Sequence, residues 1–216
     1  MDRMEAFANP LLSWFYHNKR AFSWRKTKDP FAILIAEILL RKTDAAKVQA
    51  VYDKLLLKYH TPHKLARASL SELQADLKPL GMYKIKSREL RHLAGKLLSD
   101  FGGRVPASRE DLLKLPGVGP YIANAVLCYS YGQDLVALDT NGVRVLLRVF
   151  GVKSSKARPR TDKKLWDLAQ ELIPPGKGRE FNLALLDFAT KVCRLRHPAC
   201  STCSLRIICL WPDKTL

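Results

Sequence analysis

Apolar residues recur along this chain at helical spacing, and the strict alternation of a half-buried strand is almost absent, so the pattern predicts a mainly α fold. The clearest element opens at Asp29-Pro30, an N-cap followed by proline at the first helical position. It runs through Phe31-Ala32-Ile33-Leu34-Ile35-Ala36-Glu37-Ile38-Leu39-Leu40. Turn and cap residues predict further helices over about 46–58, 71–77, 85–100, 109–114, 120–131, 140–150, 161–172 and 180–192. Lys153–Arg160, with Ser154, Ser155 and Pro159, reads as a basic surface loop. Trp14, Trp24 and Trp166 are expected in the core, and Cys128, in Ala125-Val126-Leu127-Cys128, as a small buried hydrophobe. There is no internal repeat and no low-complexity segment.

Composition narrows the class. The 216 residues are 47% hydrophobic and 26% charged, which excludes a disordered chain and suffices for one large core or two modest ones. No apolar run reaches the roughly 18 residues of a membrane helix, so no membrane association is expected. The start, Met1-Asp2-Arg3-Met4-Glu5, carries acid where a signal peptide wants base. The expected location is therefore intracellular: cytoplasm and nucleoid, or the nucleus in a eukaryote. With 37 Lys plus Arg against 20 Asp plus Glu, the formal charge is +17, and the commonest polyanion inside a cell is nucleic acid.

Four of the five cysteines crowd towards the C-terminus, Cys193, Cys200, Cys203 and Cys209, spaced C-x6-C-x2-C-x5-C. An odd count without a secretory signal argues against a disulfide framework and for a metal. Zinc sites usually pair two C-x2-C knuckles, whereas here there is one, flanked by longer loops. The irregular set suits the four thiolate corners of a [4Fe-4S] cube, with zinc and reduced structural thiols as the alternatives.

Ser108 and Asp111 make a capping-box pattern at a short helix, which stops at Leu115-Pro116-Gly117-Val118-Gly119; Pro120 starts a second helix and Gly132 closes it. Two helices joined by a glycine hairpin present backbone N–H groups at the second helix's N-terminus, where a DNA phosphate can sit. A tight helix–helix turn is the alternative for this motif alone.

The string LPGVGPYIANAVL, followed by Val136-Ala137-Leu138-Asp139-Thr140-Asn141 and then by the four cysteines, resembles the helix-hairpin-helix DNA glycosylases related to endonuclease III. The resemblance runs from Trp24 to Cys209. It implies an all-α fold of two helical domains with a DNA-binding cleft between them. A six-helix bundle carrying the hairpin would span 21–131, and a discontinuous domain, 1–20 plus 132–216, would carry a [4Fe-4S] loop at 193–209. FSWRKTKDPFAILIAEILLRKT and FGGRVPASREDLLKLPGVGPY look closest to the thymine/uracil G·T mismatch glycosylases. Tyr121 agrees, because the bifunctional endonuclease III members carry a lysine nucleophile there and the adenine glycosylases typically a serine. The adenine enzymes usually carry an extra C-terminal domain, and with seven residues after Cys209 none is expected here.

The implied activity is monofunctional removal of thymine or uracil opposite guanine, leaving an abasic site. The alternatives are another base on the same scaffold, such as adenine opposite 8-oxoguanine or an oxidised pyrimidine, and a non-catalytic iron-sulfur DNA-binding protein. The expected partner is double-stranded DNA holding a mismatched or damaged base, bound by a monomer. Asp139 carries the carboxylate that stabilises a sugar cation, or else simply caps a helix. Glu37, the sole charge in its apolar run, is expected to be partly desolvated with a raised pKa, or else paired at (i, i+4) with Arg41. Tyr121 contacts the extruded base. Arg41, Lys42, Met82 and Tyr83 are the residues expected to enter or border the gap in the duplex, with Leu115, Gly117, Val118 and Gly119 against the backbone. Lys84, Lys86, Arg88 and Arg91 read as phosphate contacts or surface charge, and Arg194, Arg196 and Arg206 as charges facing the DNA backbone.

Overall fold

The structure, a computed structural model, describes residues 2–212, and among these there is no strand. Backbone packing divides them into two compact units: positions up to Arg20 together with those from Gly132 onward, and Ala21–Tyr131. No described helix is long and apolar enough to cross a membrane.

The Ala21–Tyr131 unit holds α2 (Pro30–Leu40), α3 (Ala45–Lys58), α4 (Pro62–Ala66), α5 (Leu70–Leu77), α6 (Tyr83–Phe101), α7 (Arg109–Lys114) and α8 (Pro120–Tyr131). These are seven α-helices where six are expected, the addition being the short α4, which Thr61 caps by accepting from the Lys64 amide. Asp29 caps α2 as the sequence predicts, accepting from the Phe31 amide at 2.9 Å. Every residue of α2 from Phe31 to Leu39 is buried, Glu37 included, because α3, α6 and α8 pack around it. Trp24 and Cys128 are buried here as expected.

The other unit holds α1 (Arg3–Asn18), α9 (Thr140–Phe150), α10 (Lys163–Glu171) and α11 (Gly178–Lys191). The sequence reading leaves α1 out, and Pro10 sits in its interior. Its apolar face, Phe7, Ala8, Leu11, Leu12 and Phe15, nevertheless packs into one core with residues of α9, α10 and α11. Trp14, half-buried, meets Phe188 edge to face with centroids 5.2 Å apart. Trp166 is likewise half-buried and donates from its indole nitrogen to the Arg160 carbonyl.

One ion pair ties the end of α1 to α11. Asp187 is fully buried, and its two oxygens accept from the Arg20 backbone amide at 2.9 Å and from Arg20 Nε at 2.5 Å. Asp187→Ala leaves both donors without that acceptor and should destabilise the protein by about 3 kcal/mol, read as a lower denaturation midpoint.

Candidate active site and cysteine loop

Residues 133–138, ahead of Asp139, are neither helix nor strand, yet Val136, Ala137 and Leu138 are buried. Two side-chain amides bond this backbone. Gln170 of α10 accepts from the Val136 amide at 2.9 Å and donates to the Asp134 carbonyl at 2.6 Å. Asn182 of α11, 1% exposed, accepts from the Ala137 amide at 2.8 Å and donates to the Leu135 carbonyl at 2.8 Å. The segment delivers Asp139 to the N-terminus of α9. There Oδ1 accepts from the Gly142 amide at 2.7 Å and Oδ2 from Asn141 Nδ2 at 2.9 Å. Asp139 is therefore a helix cap, and both its oxygens are held in place. A Cβ at Gly142 would lie 3.0 Å from the Leu138 and Leu185 side chains, so any larger residue would have to push these leucines aside.

The same helix reaches the cysteines. Asn141 accepts from Arg144, whose guanidinium also donates to the Cys193 carbonyl at 3.0 Å and the Ala189 carbonyl at 2.8 Å. One turn on, Arg148 donates to the Arg194 and Leu195 carbonyls at 2.7 and 3.1 Å and to Cys193 Sγ at 3.6 Å, and lies 4.7 Å over the Trp211 ring. Cys193, Cys200, Cys203 and Cys209 are free thiols lining one cavity with Arg148, Val149, Pro198 and Trp211. Among the described residues no group of three or more His, Cys, Asp or Glu forms a site for a metal ion. Burial pushes the Cys203 thiol up to about 11, and Cys193, Cys209 and Cys200 add to the rise. Arg194 donates to the His197 carbonyl and Arg206 to the Cys200 carbonyl, so both charges serve the loop itself.

In the other unit, α2 places Glu37 at 6% exposure. Its charge is felt at Tyr52, whose pKa is raised first by burial and then by Asp29, Asp53 and Glu37. Arg41 follows α2. It donates to Glu89 of α6 at 2.5 Å and to the Gly117 carbonyl at 3.0 Å, so its guanidinium is directed at these two groups instead of Glu37. Lys42 is exposed with φ 54, and Met82 is 44% exposed with φ 47, both in the left-handed region; Tyr83, half-buried, begins α6. The hairpin forms as predicted. Ser108 accepts from the Asp111 amide at 3.1 Å, Gly117 turns the chain at φ 78, and Pro120 opens α8. Leu115 and Val118 are buried, so the hairpin presents its backbone at Gly117 and Gly119, while Tyr121 is half-buried at the second position of α8.

One expectation needs correction. Lys86 is not a surface charge: it is 2% exposed and donates to the Leu39 and Arg41 carbonyls, each at 3.0 Å. Burial, with the Arg41 charge second, holds its pKa below the ordinary lysine value. The signal was present, because Lys86 shares one helical stripe with the buried Leu90, Leu93, Ala94 and Leu97. Lys84, Arg88 and Arg91 are exposed. Sequence reasoning also missed Gln170, Asn182, Arg144 and Arg148, whose partners lie 34 to 49 residues away in sequence.

Residues 35–171 match the family described as HhH-GPD superfamily base excision DNA repair protein. The chain belongs to this superfamily. Over 212 residues it is 42% identical to a thymine-DNA glycosylase of Aeropyrum pernix, covering 97% of this chain and 95% of that one. It is 39% identical, again over 212 residues, to a thymine/uracil-DNA glycosylase of Methanothermobacter thermautotrophicus, covering 98% and 96%. A solved thermostable thymine-DNA glycosylase superposes with a TM-score of 0.93 at 39% identity, covering 98% of this chain and 97% of that one. In this HhH-GPD chain the amide pair ahead of α9 is open to direct test. Asn182→Ala strands the Ala137 amide and the Leu135 carbonyl, and should lower stability by about 2 kcal/mol. Amide hydrogen exchange at Ala137 should accelerate more than exchange within α1.

Proposed function

We propose that the chain is a monofunctional, mismatch-specific DNA glycosylase that hydrolyses the N-glycosidic bond of thymine or uracil opposite guanine and leaves an abasic site. The observation that carries this reading is the Asp139 carboxylate, fixed on both oxygens at the start of α9. The relatives named for thymine and uracil support the base.

A pyrimidine inside a duplex is out of reach, so the nucleotide rotates out of the stack at a cost of a few kcal/mol, lowest for a mispaired base. Breaking the bond to the sugar puts positive charge on the sugar and negative charge on the departing pyrimidine. A carboxylate that cannot swing away stabilises the cation without reorganisation, and that is the role of Asp139. Water then adds its oxygen to the anomeric carbon and gives up a proton, so the products are free base and abasic sugar. Glu37, buried on α2, is the group that orients this water or exchanges the proton. Tyr121 contacts the extruded base. Its phenol cannot form the imine through which an amine nucleophile would cut the strand. The hairpin backbone at Gly117 and Gly119, with Leu115 and Val118 packed behind it, takes the DNA backbone, and Lys42, Met82 and Tyr83 border the vacated base position.

The cysteine loop fits a [4Fe-4S] cube. Four free thiols line one cavity, and four cysteine thiolates are the donor set of such a cluster. Cys193, Cys200, Cys203 and Cys209 would hold it, and when bound it supplies a cross-link that fixes residues 193–209. Arg148 beside Cys193 Sγ offsets the negative charge of the thiolates. The protein works as a monomer on duplex DNA, inside the cell.

A duplex panel carrying G·T, G·U, A·8-oxoguanine and thymine glycol, developed with alkali, tests the activity. G·T and G·U strands should break only after alkali, and borohydride should trap no covalent complex; cleavage confined to the other two duplexes overturns the base assignment. Asp139→Asn separates the two roles of the residue. Asparagine still caps α9, at the expense of about 1 kcal/mol for the bond with Asn141, while excision should fall by orders of magnitude with mismatch binding retained. Anaerobically purified protein should be yellow-brown with about four irons per chain, whereas stoichiometric zinc without iron refutes the cluster.

A further inference from the structure

Three elements of the Ala21–Tyr131 unit converge on Arg41. Its guanidinium bridges the Glu89 carboxylate on α6, at 2.5 Å, and the Gly117 carbonyl in the hairpin, at 3.0 Å. Its own carbonyl accepts from Lys86, again on α6 and three residues before Glu89, at 3.0 Å. Lys86 also bonds the Leu39 carbonyl at 3.0 Å and lies 3.5 Å from that of Ile38. These are carbonyls at the C-terminal end of α2, where the helix's own i→i−4 bonding runs out; the Ile38 carbonyl also accepts from the Arg41 amide at 3.3 Å. One face of α6 thus grips Arg41 at both ends, the main chain through Lys86 and the side chain through Glu89. The far side of the bridge is equally constrained. Gly117 has φ 78, and a Cβ there would stand 3.0 Å from Arg41 Nη1. Because a peptide is planar, holding the Gly117 carbonyl fixes the 117–118 peptide plane, two residues before α8 begins.

We propose that Lys86 and Glu89 are positioning residues that lock Arg41 against the Gly117 carbonyl, so that Arg41 sets the shape of the hairpin before DNA arrives instead of serving as a free cation for phosphate. The proposal rests on the glycosylase reading and deepens it. Holding the hairpin in the binding conformation removes an ordering cost at the moment of binding.

Glu89→Gln makes the test sharp, because the two explanations predict opposite signs. Removing an acidic charge from a DNA-binding protein should tighten duplex binding if only net charge matters. Losing the clamp should weaken it. Affinity for undamaged duplex, single-turnover excision from G·T duplex and melting temperature are measured for wild type, Glu89→Gln, Arg41→Lys and the double variant. Glu89→Gln is expected to bind duplex at least threefold more weakly. Arg41→Lys, which keeps the charge but loses the fork whose two terminal nitrogens reach Gly117 and Glu89 separately, should do the same and stands as an independent test should Glu89→Gln fail to fold. The double variant should be no weaker than the weaker single, since both changes break one clamp. A lower melting temperature with unchanged affinity in either single variant, or tighter binding by Glu89→Gln, overturns the clamp while wild-type excision still supports the glycosylase. A wild type that neither binds nor excises overturns both.

Discussion

Backbone that is neither helix nor sheet must still find hydrogen bonds when it is buried, and in this chain helix side chains provide them. Gln170 and Asn182 satisfy the irregular segment ahead of Asp139. Arg144 and Arg148 satisfy carbonyls at the start of the cysteine loop, from Cys193 to Leu195. Lys86 and Arg41 satisfy the end of α2 and the glycine hairpin. Each irregular stretch with a part in the proposed chemistry is thereby hung from a packed helix. The arrangement suits catalysis, because a group fixed before the reaction need not be reorganised during it.

Asp139 shows how closely fold and chemistry are joined. The bonds that make it a good cap, from the Gly142 amide and the Asn141 side chain, also fix its carboxylate. Cap and catalyst are competing readings of the residue in the sequence, and under the proposed function one geometry would serve both. The helix that begins there runs on to Arg144 and Arg148, so the candidate catalytic carboxylate and the cysteine loop hang from the two ends of one rigid element.

Much of this was legible in the residues alone, for identifiable reasons. Local signals survived folding: the Asp29-Pro30 start of α2, Ser108 at α7 and the glycine turn at Gly117 are decided by neighbours within a few positions. Longer-range outcomes did not show in the pattern. Helix α1 contains Pro10 and depends on packing against α11 that no local window contains. Lys86 carries a charge that composition assigns to the surface, yet its stem follows an apolar stripe and its ammonium finds carbonyls 45 to 47 residues away. The contacts of Arg41 with Glu89 and Gly117 did not show either, since these partners lie 48 and 76 residues away.

The double duty of Asp139 also bears on how such an enzyme could be lost. Most replacements there would disturb the helix as well as the carboxylate, and quality control would remove many of the products. Asparagine is the exception, a good cap without the charge. Both aspartate codons become asparagine codons by a single G-to-A transition at the first position. That transition arises when the paired cytosine is deaminated and the resulting G·U or G·T mispair escapes repair. The change that most cleanly silences this protein while sparing its fold is thus a product of the lesion it is proposed to remove, so a lapse in its own repair duty, falling on its own gene, would be self-perpetuating.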